Sequence, residues 1–243
     1  MKLNDNIICA TTFRQGNQFN CIERVRAEVF LDTVRELSNL DLLLHVDTDD
    51  LYLKNLQKYG VITVKQKSIG MGNIRREAIR EASLHFPNSN YLCWLEPEKP
   101  NIAKFILPMV HKMKMDKTSL GIFNRNNMSS YPPEQSHNYQ FCRAVATQFI
   151  GFDIDYAFGP MVVPRSSSSY FLEYQGEYGD KWDSILVPRL RIIKNGLCIS
   201  TLPINFQNDN RMTCVESGNP TIILKRLEQF NNVIPSLVKE WFL

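Results

Sequence analysis

Tyr91-Leu92-Cys93-Trp94-Leu95 is an apolar run of strand length, and it stops abruptly at Glu96-Pro97-Glu98-Lys99-Pro100. On an extended chain, side chains two residues apart point to one side, so Glu96 and Glu98 are expected together. Pro97 and Pro100 bias Glu96 and Lys99 toward extended backbone. A buried strand that delivers two acids at its carboxyl end matches the place where open α/β sheets put their ligand sites. Two hard oxygen ligands there suit a divalent cation beside a phosphate. The same residues also fit an acidic strand-to-loop turn that only marks where burial ends.

The remaining apolar runs follow a rhythm. Ile7-Ile8-Cys9-Ala10 reads as a strand closed by Thr11-Thr12, and Asn17 or Asn20 can cap the helix after it. That helix carries Ile22, Val25, Val29, Phe30 and Val34 on one face. Leu42–Val46 and Val61–Val64 read as strands, the first ending in Asp47-Thr48-Asp49-Asp50. A helix is expected from near Asn73, with Ile74, Ala78, Ile79 and Ala82 inward. With Leu92–Leu95 as the fourth strand, this is the order of a mainly parallel sheet with covering helices. Beyond it, a helix over 102–113 is expected to break at Pro108, and 120–123 reads as a strand. Glu134–Phe149 reads as a helix and Phe158–Val163 as extended. Another helix begins near Pro188 and stops at Gly196, followed by a strand at 197–200. Ile222–Leu243 gives one or two amphipathic helices broken at Pro235, lying against the core or touching a membrane surface.

Composition narrows the class. The chain has 243 residues, 44% hydrophobic and 22% charged, which is ordinary globular composition. No linker or repeat divides it, so one domain over 1–243 is expected. Lysine and arginine exceed acids by 28 to 25 and are scattered, unlike a nucleic-acid surface. The six cysteines form no CxxC pair and read as small buried residues of a reducing compartment. Met1–Asn6 lacks an apolar signal core, and no run reaches the ~20 apolar residues of a membrane span. A soluble, cytoplasmic protein is expected. His45, His85, His111 and His137 show no zinc spacing, and no GxSxG nucleophile motif is present.

Three strand ends carry polar chemistry: Asp47/Asp49/Asp50, then Gly70-Met71-Gly72 with Arg75 and Arg76, then Glu96/Glu98. The aspartates can accept hydrogen bonds from a base or ribose, or make an Asx turn and cap a helix. Arginines in the first turn of a helix suit an anion at its N-terminus; alternatively they face water while Glu77 pairs with Arg80. In Tyr178-Gly179-Asp180-Lys181-Trp182-Asp183, an acid precedes an aromatic and a helix bearing Arg189. Asp180 or Asp183 is either a general base or a helix N-cap.

In this order, with Gly159-Pro160-Met161-Val162-Val163 between, the motifs resemble those of the GT-A glycosyltransferases, close in layout to family 2, over roughly residues 5–210. The resemblance implies a single Rossmann-like α/β domain with a mixed, mainly parallel sheet and flanking helices. Its nucleotide-binding half would be 1–100, its acceptor-side half 101–210, and its C-terminal helices 211–243. It implies transfer of a sugar from a nucleotide-diphosphate donor to a hydroxyl acceptor with inversion. Thr11, Thr12, Phe13, Asp47, Asp49, Gly70, Gly72, Arg75, Arg76, Glu96, Lys99 and Arg189 would bind the donor. Glu96 and Glu98 would hold Mg²⁺ or Mn²⁺, and Asp180, with Asp183 as alternative, would be the base. Glu-Pro-Glu-Lys departs from the family's Asp-x-Asp, so Lys99 can stand in for part of the metal's charge. The alternatives are a sugar-nucleotide-binding protein without catalysis, and a sugar-phosphate nucleotidyltransferase, for which the loop Thr11–Asn17 has only one glycine.

Overall fold

The computed structural model describes residues 6–17 and 19–243, and the expectation for Met1–Asp5 lies outside them. The first half follows the expected order with one helix added between the second and third strands: β1 (Ile7–Arg14), α1 (Cys21–Leu37), β2 (Asp41–Asp47), α2 (Asp50–Gln57), β3 (Ile62–Lys65), α3 (Met71–His85) and β4 (Tyr91–Trp94). The second half follows with α4 (Ala103–Asp116), β5 (Leu120–Arg125), α5 (Pro133–Ile150), β6 (Met161–Pro164), α6 (Ser169–Leu172), α7 (Asp183–Lys194), β7 (Ile199–Ile204), α8 (Asn210–Glu216) and α9 (Pro220–Phe242). The strands form one sheet in the order β3-β2-β1-β4-β6-β5-β7. β1 pairs in parallel with β2 and β4, β2 with β3, and β5 with β7; only β6 runs antiparallel to its neighbours β4 and β5. This is a single α/β domain with a mixed, mostly parallel sheet. The chain leaves β1 toward β2 and β3, then returns to lay β4 on the other side. Ligand crevices form where strand order reverses in this way.

Local chemistry explains most element starts. The Asn20 side chain accepts the N–H groups of Ile22 and Glu23 at the head of α1, and Asn219 does the same for Thr221 and Ile222 in α9. Helix α2, absent from the sequence reading, is capped by Asp49, whose carboxylate accepts the Tyr52 N–H at 2.8 Å.

Three proline expectations fail for identifiable reasons. Helices α4 and α9 run unbroken through Pro108 and Pro235. Each proline is exposed, and so are Lys104 and Asn231, whose carbonyls lose an N–H partner and face water instead. Helix α7 begins at Asp183, five residues before Pro188, because tertiary contacts satisfy its first turn: Asn232 of α9 accepts the Asp183 N–H at 3.1 Å. Helix α8, also absent from the reading, is capped by Asp209.

Other local expectations change as well. Glu77 does not pair with Arg80; it is buried, accepts the Ser68 N–H at 3.0 Å and lies 3.1 Å from Nε2 of the buried His45. All six cysteines are free, but only Cys9, Cys93 and Cys142 are buried. Cys198 is exposed because the strand begins one residue later. The C-terminal segment lies against the core through Val233 and Leu237. Among the described residues, no helix is long and apolar enough to cross a membrane.

Candidate functional site

The parallel strands β1 and β4 end in a cavity of about 660 Å³. Thr12, Phe13 and Arg14 come from the end of β1, and Glu96–Lys99 from the segment after β4. Gly70, Met71, Ile74 and Arg75 come from the head of α3, Glu23 and Arg26 from α1, and Gln135 and Tyr139 from α5. The far wall is Met212 and Glu216 of α8 with Lys225 and Arg226 of α9. Six cationic side chains (Arg14, Arg26, Arg75, Lys99, Lys225 and Arg226) thus face four carboxylates (Glu23, Glu96, Glu98 and Glu216). The lining is net positive, so it favours an anion.

The carboxylates are already engaged, to different degrees. Glu98 accepts from Arg26 Nε at 2.6 Å, and Arg26 also lies 3.3 Å from Glu23. Burial opposes the charge on Glu98, yet Arg26, Lys225 and Lys99 together hold its carboxyl below the usual range. Glu216 lies 3.5 Å from Arg226. Glu96 has no guanidinium partner within ion-pair distance among the described residues; its neighbour is Lys99 Nζ at 3.7 Å. Lys99 is buried at 7% exposure, with its ammonium 5.3 Å from the Tyr131 ring and 5.7 Å from Phe206. That cation–aromatic seat holds the charge without a second carboxylate. Burial lowers the Arg75 guanidinium to about 10, with Glu96 the first of the neighbouring charges to oppose the shift. Burial and then the like charges of Arg26 and Arg226 push the Lys225 ammonium down.

Of the residues expected at a donor site, Thr12, Phe13, Gly70, Arg75, Glu96, Glu98 and Lys99 line the cavity. Thr11 is buried within β1 and does not reach it. Asp47 pairs with Arg14 at 3.4 Å. Asp49 caps α2 and grips Gln15, which donates to its carboxylate at 2.8 Å. Arg189 is fully buried behind the site, donating to the carbonyls of Phe158 and Tyr156 at 2.7 and 2.8 Å. It braces the segment before β6.

The two expected bases also sit outside the cavity. Asp180 makes a two-pronged pair with Arg76, at 2.6 and 2.8 Å, and its carbonyl accepts the Gly72 N–H at 2.9 Å. A Cβ on Gly72 would lie 1.9 Å from Asp180 Oδ1, so the glycine is what admits this carboxylate. The anion at the head of α3 is therefore the chain's own, and Arg76 and Gly72 serve it. Asp183 is wholly buried, accepting the Tyr174 hydroxyl at 2.5 Å and the N–H groups of Lys181 and Asp180. Asp180→Asn should lower the free energy of unfolding by about 1–3 kcal/mol, the range for charge-assisted bonds. Chemical denaturation checks this, and an unchanged midpoint would mean that the α3–α7 clasp contributes nothing.

The sequence reading missed Arg26, Glu216, Lys225, Arg226, Gln135 and Tyr139. Arg26 sits on a helix face three residues after Glu23, an ordinary solvated pair by pattern. Lys225 and Arg226 come from a helix more than 120 residues beyond β4 in sequence, and nothing local marks them as cavity residues.

A divalent cation bound by oxygen needs carboxylates with available lone pairs. Here Glu98 is committed to Arg26 and Glu96 faces Lys99. Among the described residues, no three His, Cys, Asp or Glu side chains converge to hold a metal. The strand-end acids as arranged do not form an open metal-ligand set.

No family model matches the chain, and no curated protein matches its sequence. Solved structures do. One is glucosyl-3-phosphoglycerate synthase from Mycobacterium tuberculosis in complex with Mn²⁺, uridine diphosphate and phosphoglyceric acid, with TM-score 0.67 and 10% identity, covering 99% of this chain and 80% of that one. The same enzyme with Mn²⁺, uridine diphosphate and glucosyl-3-phosphoglycerate matches at TM-score 0.65 and 10% identity, covering 98% and 80%. A protein from Desulfovibrio desulfuricans G20, described as a nucleotide-diphospho-sugar transferase, matches at TM-score 0.54 and 8% identity, covering 96% and 98%. The chain has the GT-A fold of nucleotide-diphospho-sugar transferases. At these identities the likeness speaks for the fold alone.

Proposed function

We propose that this protein is a glycosyltransferase that moves a sugar from a nucleoside-diphosphate donor to a hydroxyl acceptor. The observation that carries the reading is the net-positive cavity at the carboxyl ends of β1 and β4, at the strand-order reversal of a GT-A sheet. A fold alone does not specify a reaction; the charged lining is what suits this one. The base and ribose would lie toward Thr12, Phe13 and Gln66, a cavity residue just after β3 whose amide donates to the Phe13 carbonyl at 3.1 Å, and the diphosphate toward the cations beyond Glu98. Uridine diphosphate in the structural neighbour makes a uridine donor the first to try.

The chemistry is one displacement. The acceptor oxygen bonds to the anomeric carbon as that carbon's bond to the diphosphate breaks; the diphosphate leaves with the electron pair. Attack opposite the leaving group inverts the anomeric centre. The hydroxyl proton needs an acceptor, and Glu96 is the cavity carboxylate without a guanidinium partner. Glu96 takes that role here in place of Asp180, whose oxygens serve Arg76. The leaving diphosphate needs positive charge in a site poor in water, where fixed charges act strongly.

Thermal unfolding with UDP, GDP, CDP and their sugars tests the reading. A ligand at ~100 times its dissociation constant should add about 2.7 kcal/mol. A nucleotide-selective shift accompanied by sugar transfer to an alcohol or sugar acceptor supports it. A shift without transfer from any donor makes the protein a binder of nucleotide sugars. No shift with any nucleotide removes the donor site.

A further inference from the structure

We propose that this chain binds the donor diphosphate with its own cations and without a divalent metal ion, and that Lys225 of α9 is the group that meets the diphosphate directly. The inference rests on the glycosyltransferase reading and concerns the same cavity. Its first support is the closed state of the acids. Arg26 grips Glu98 at 2.6 Å and leans on Glu23 at 3.3 Å, so the carboxylate is held from the α1 side by a fixed charge. A metal ion would have to displace that guanidinium and leave it in an already cationic wall.

The second support is the count of charges. Six cations against four carboxylates leave the lining net positive before any ligand arrives. Adding a divalent cation to such a site raises the repulsion, while adding a diphosphate relieves it.

The third support is Lys225. Arg26 and Arg226 have carboxylate partners, and Lys99 has Glu96 and two rings. Among the described residues, Lys225 makes no hydrogen bond and no ion pair within 4.0 Å; it faces the cavity with Arg26 and Arg226 repelling it, and Glu98 and Glu216 attract it more weakly from beyond ion-pair distance. Packing an unpaired ammonium against like charges is unfavourable in the empty protein, and an anion of two phosphates removes the penalty. An ammonium also presents a compact charge with three donors, suited to non-bridging phosphate oxygens. Lys225 therefore occupies the role that an ion held by the strand-end acids would otherwise fill.

Calorimetric titration of the intact chain with UDP, GDP, CDP and inorganic pyrophosphate, each in EDTA and in Mn²⁺ or Mg²⁺, tests this. Equal affinity in EDTA and in metal is expected for at least one nucleotide. Lys225→Met and Lys225→Gln should both weaken that nucleotide and pyrophosphate by on the order of tenfold or more, the cost of one charge-assisted contact. The unliganded variants should melt no lower than the parent, since the burial and the like charges of Arg26 and Arg226 that oppose the ammonium outweigh its attraction to Glu98 and Glu216. Binding that is at least about tenfold tighter with metal would overturn the inference and leave the glycosyltransferase reading standing. Parent-like affinity in both Lys225 variants would overturn the assignment to Lys225. Absence of nucleotide binding under all conditions would take down both readings.

Discussion

Arg125→Met is expected to lower the free energy of unfolding by about 3–5 kcal/mol, the range for breaking one partner out of a buried ion pair. Arg125 and Asp155 are each 0% exposed, and the guanidinium holds the carboxylate through Nε at 2.6 Å and a second nitrogen at 2.9 Å. The Asp155 N–H is in turn fixed by the Asn124 side chain at 2.9 Å. Removing the guanidinium leaves a carboxylate in the core with no cation against it and only the residue-125 backbone N–H, at 3.3 Å, still donating to it, which is the costly half of such a change. The pair's own net value is much smaller, because both ions were desolvated to form it. Arg125→Met combined with Asp155→Leu should therefore recover most of the loss. Denaturant titration of the parent, both single variants and the double variant measures the coupling. A loss below about 1 kcal/mol in Arg125→Met would mean that water reaches Asp155. The effect should also reach the cavity. The guanidinium lies 4.2 Å from the Tyr139 ring, which lines the cavity, and 5.0 Å from the Tyr131 ring, which seats Lys99.

The half of the molecule that was readable from sequence is the half built by local rules. The apolar run of β4 ends at the rim of the cavity, so Glu96 and Glu98 could be found from a strand end, and Arg75 from the head of a helix; Thr12 and Phe13 came from the family resemblance. The pair Asn17 and Asn20 signalled the start of α1 because capping chemistry is local, and Asn20 is the one that caps it. The proline breaks failed where a lost backbone bond faces water, which depends on burial and not on spacing. Asp180 and Arg76 each resembled site residues because both carry charge at loop–helix junctions. Their charges cancel across α3 and α7, a pairing between residues 104 positions apart that no local pattern reveals. Lys225 and Arg226 were hidden for the converse reason. On α9 they look like the polar face of an amphipathic helix, and only the return of that helix across the sheet end turns them inward.

Glu96→Gln should cost turnover and spare donor binding. The amide keeps the size of the side chain and its place above Gly159, where a Cβ on that glycine would come within 2.9 Å of the Glu96 carboxyl carbon. What it loses is the ability to take a proton. Removing a positioned base costs about 10²–10⁴-fold in rate, so kcat should fall by that order with the nucleotide sugar that shifts the melting temperature most. The nucleotide-induced shift itself should stay close to the parent's, because the cations that hold the diphosphate are untouched. Asp180→Asn provides the comparison, since it removes charge from the clasp on Arg76 without altering the cavity lining. If Asp180→Asn loses kcat while Glu96→Gln keeps it within about threefold of the parent, the proton goes to Asp180 and the Arg76 pair must open during turnover. If Glu96→Gln instead loses donor binding together with kcat, Glu96 is a ligand-holding group, and its charge serves a sugar hydroxyl in the ground state as much as in the transition state.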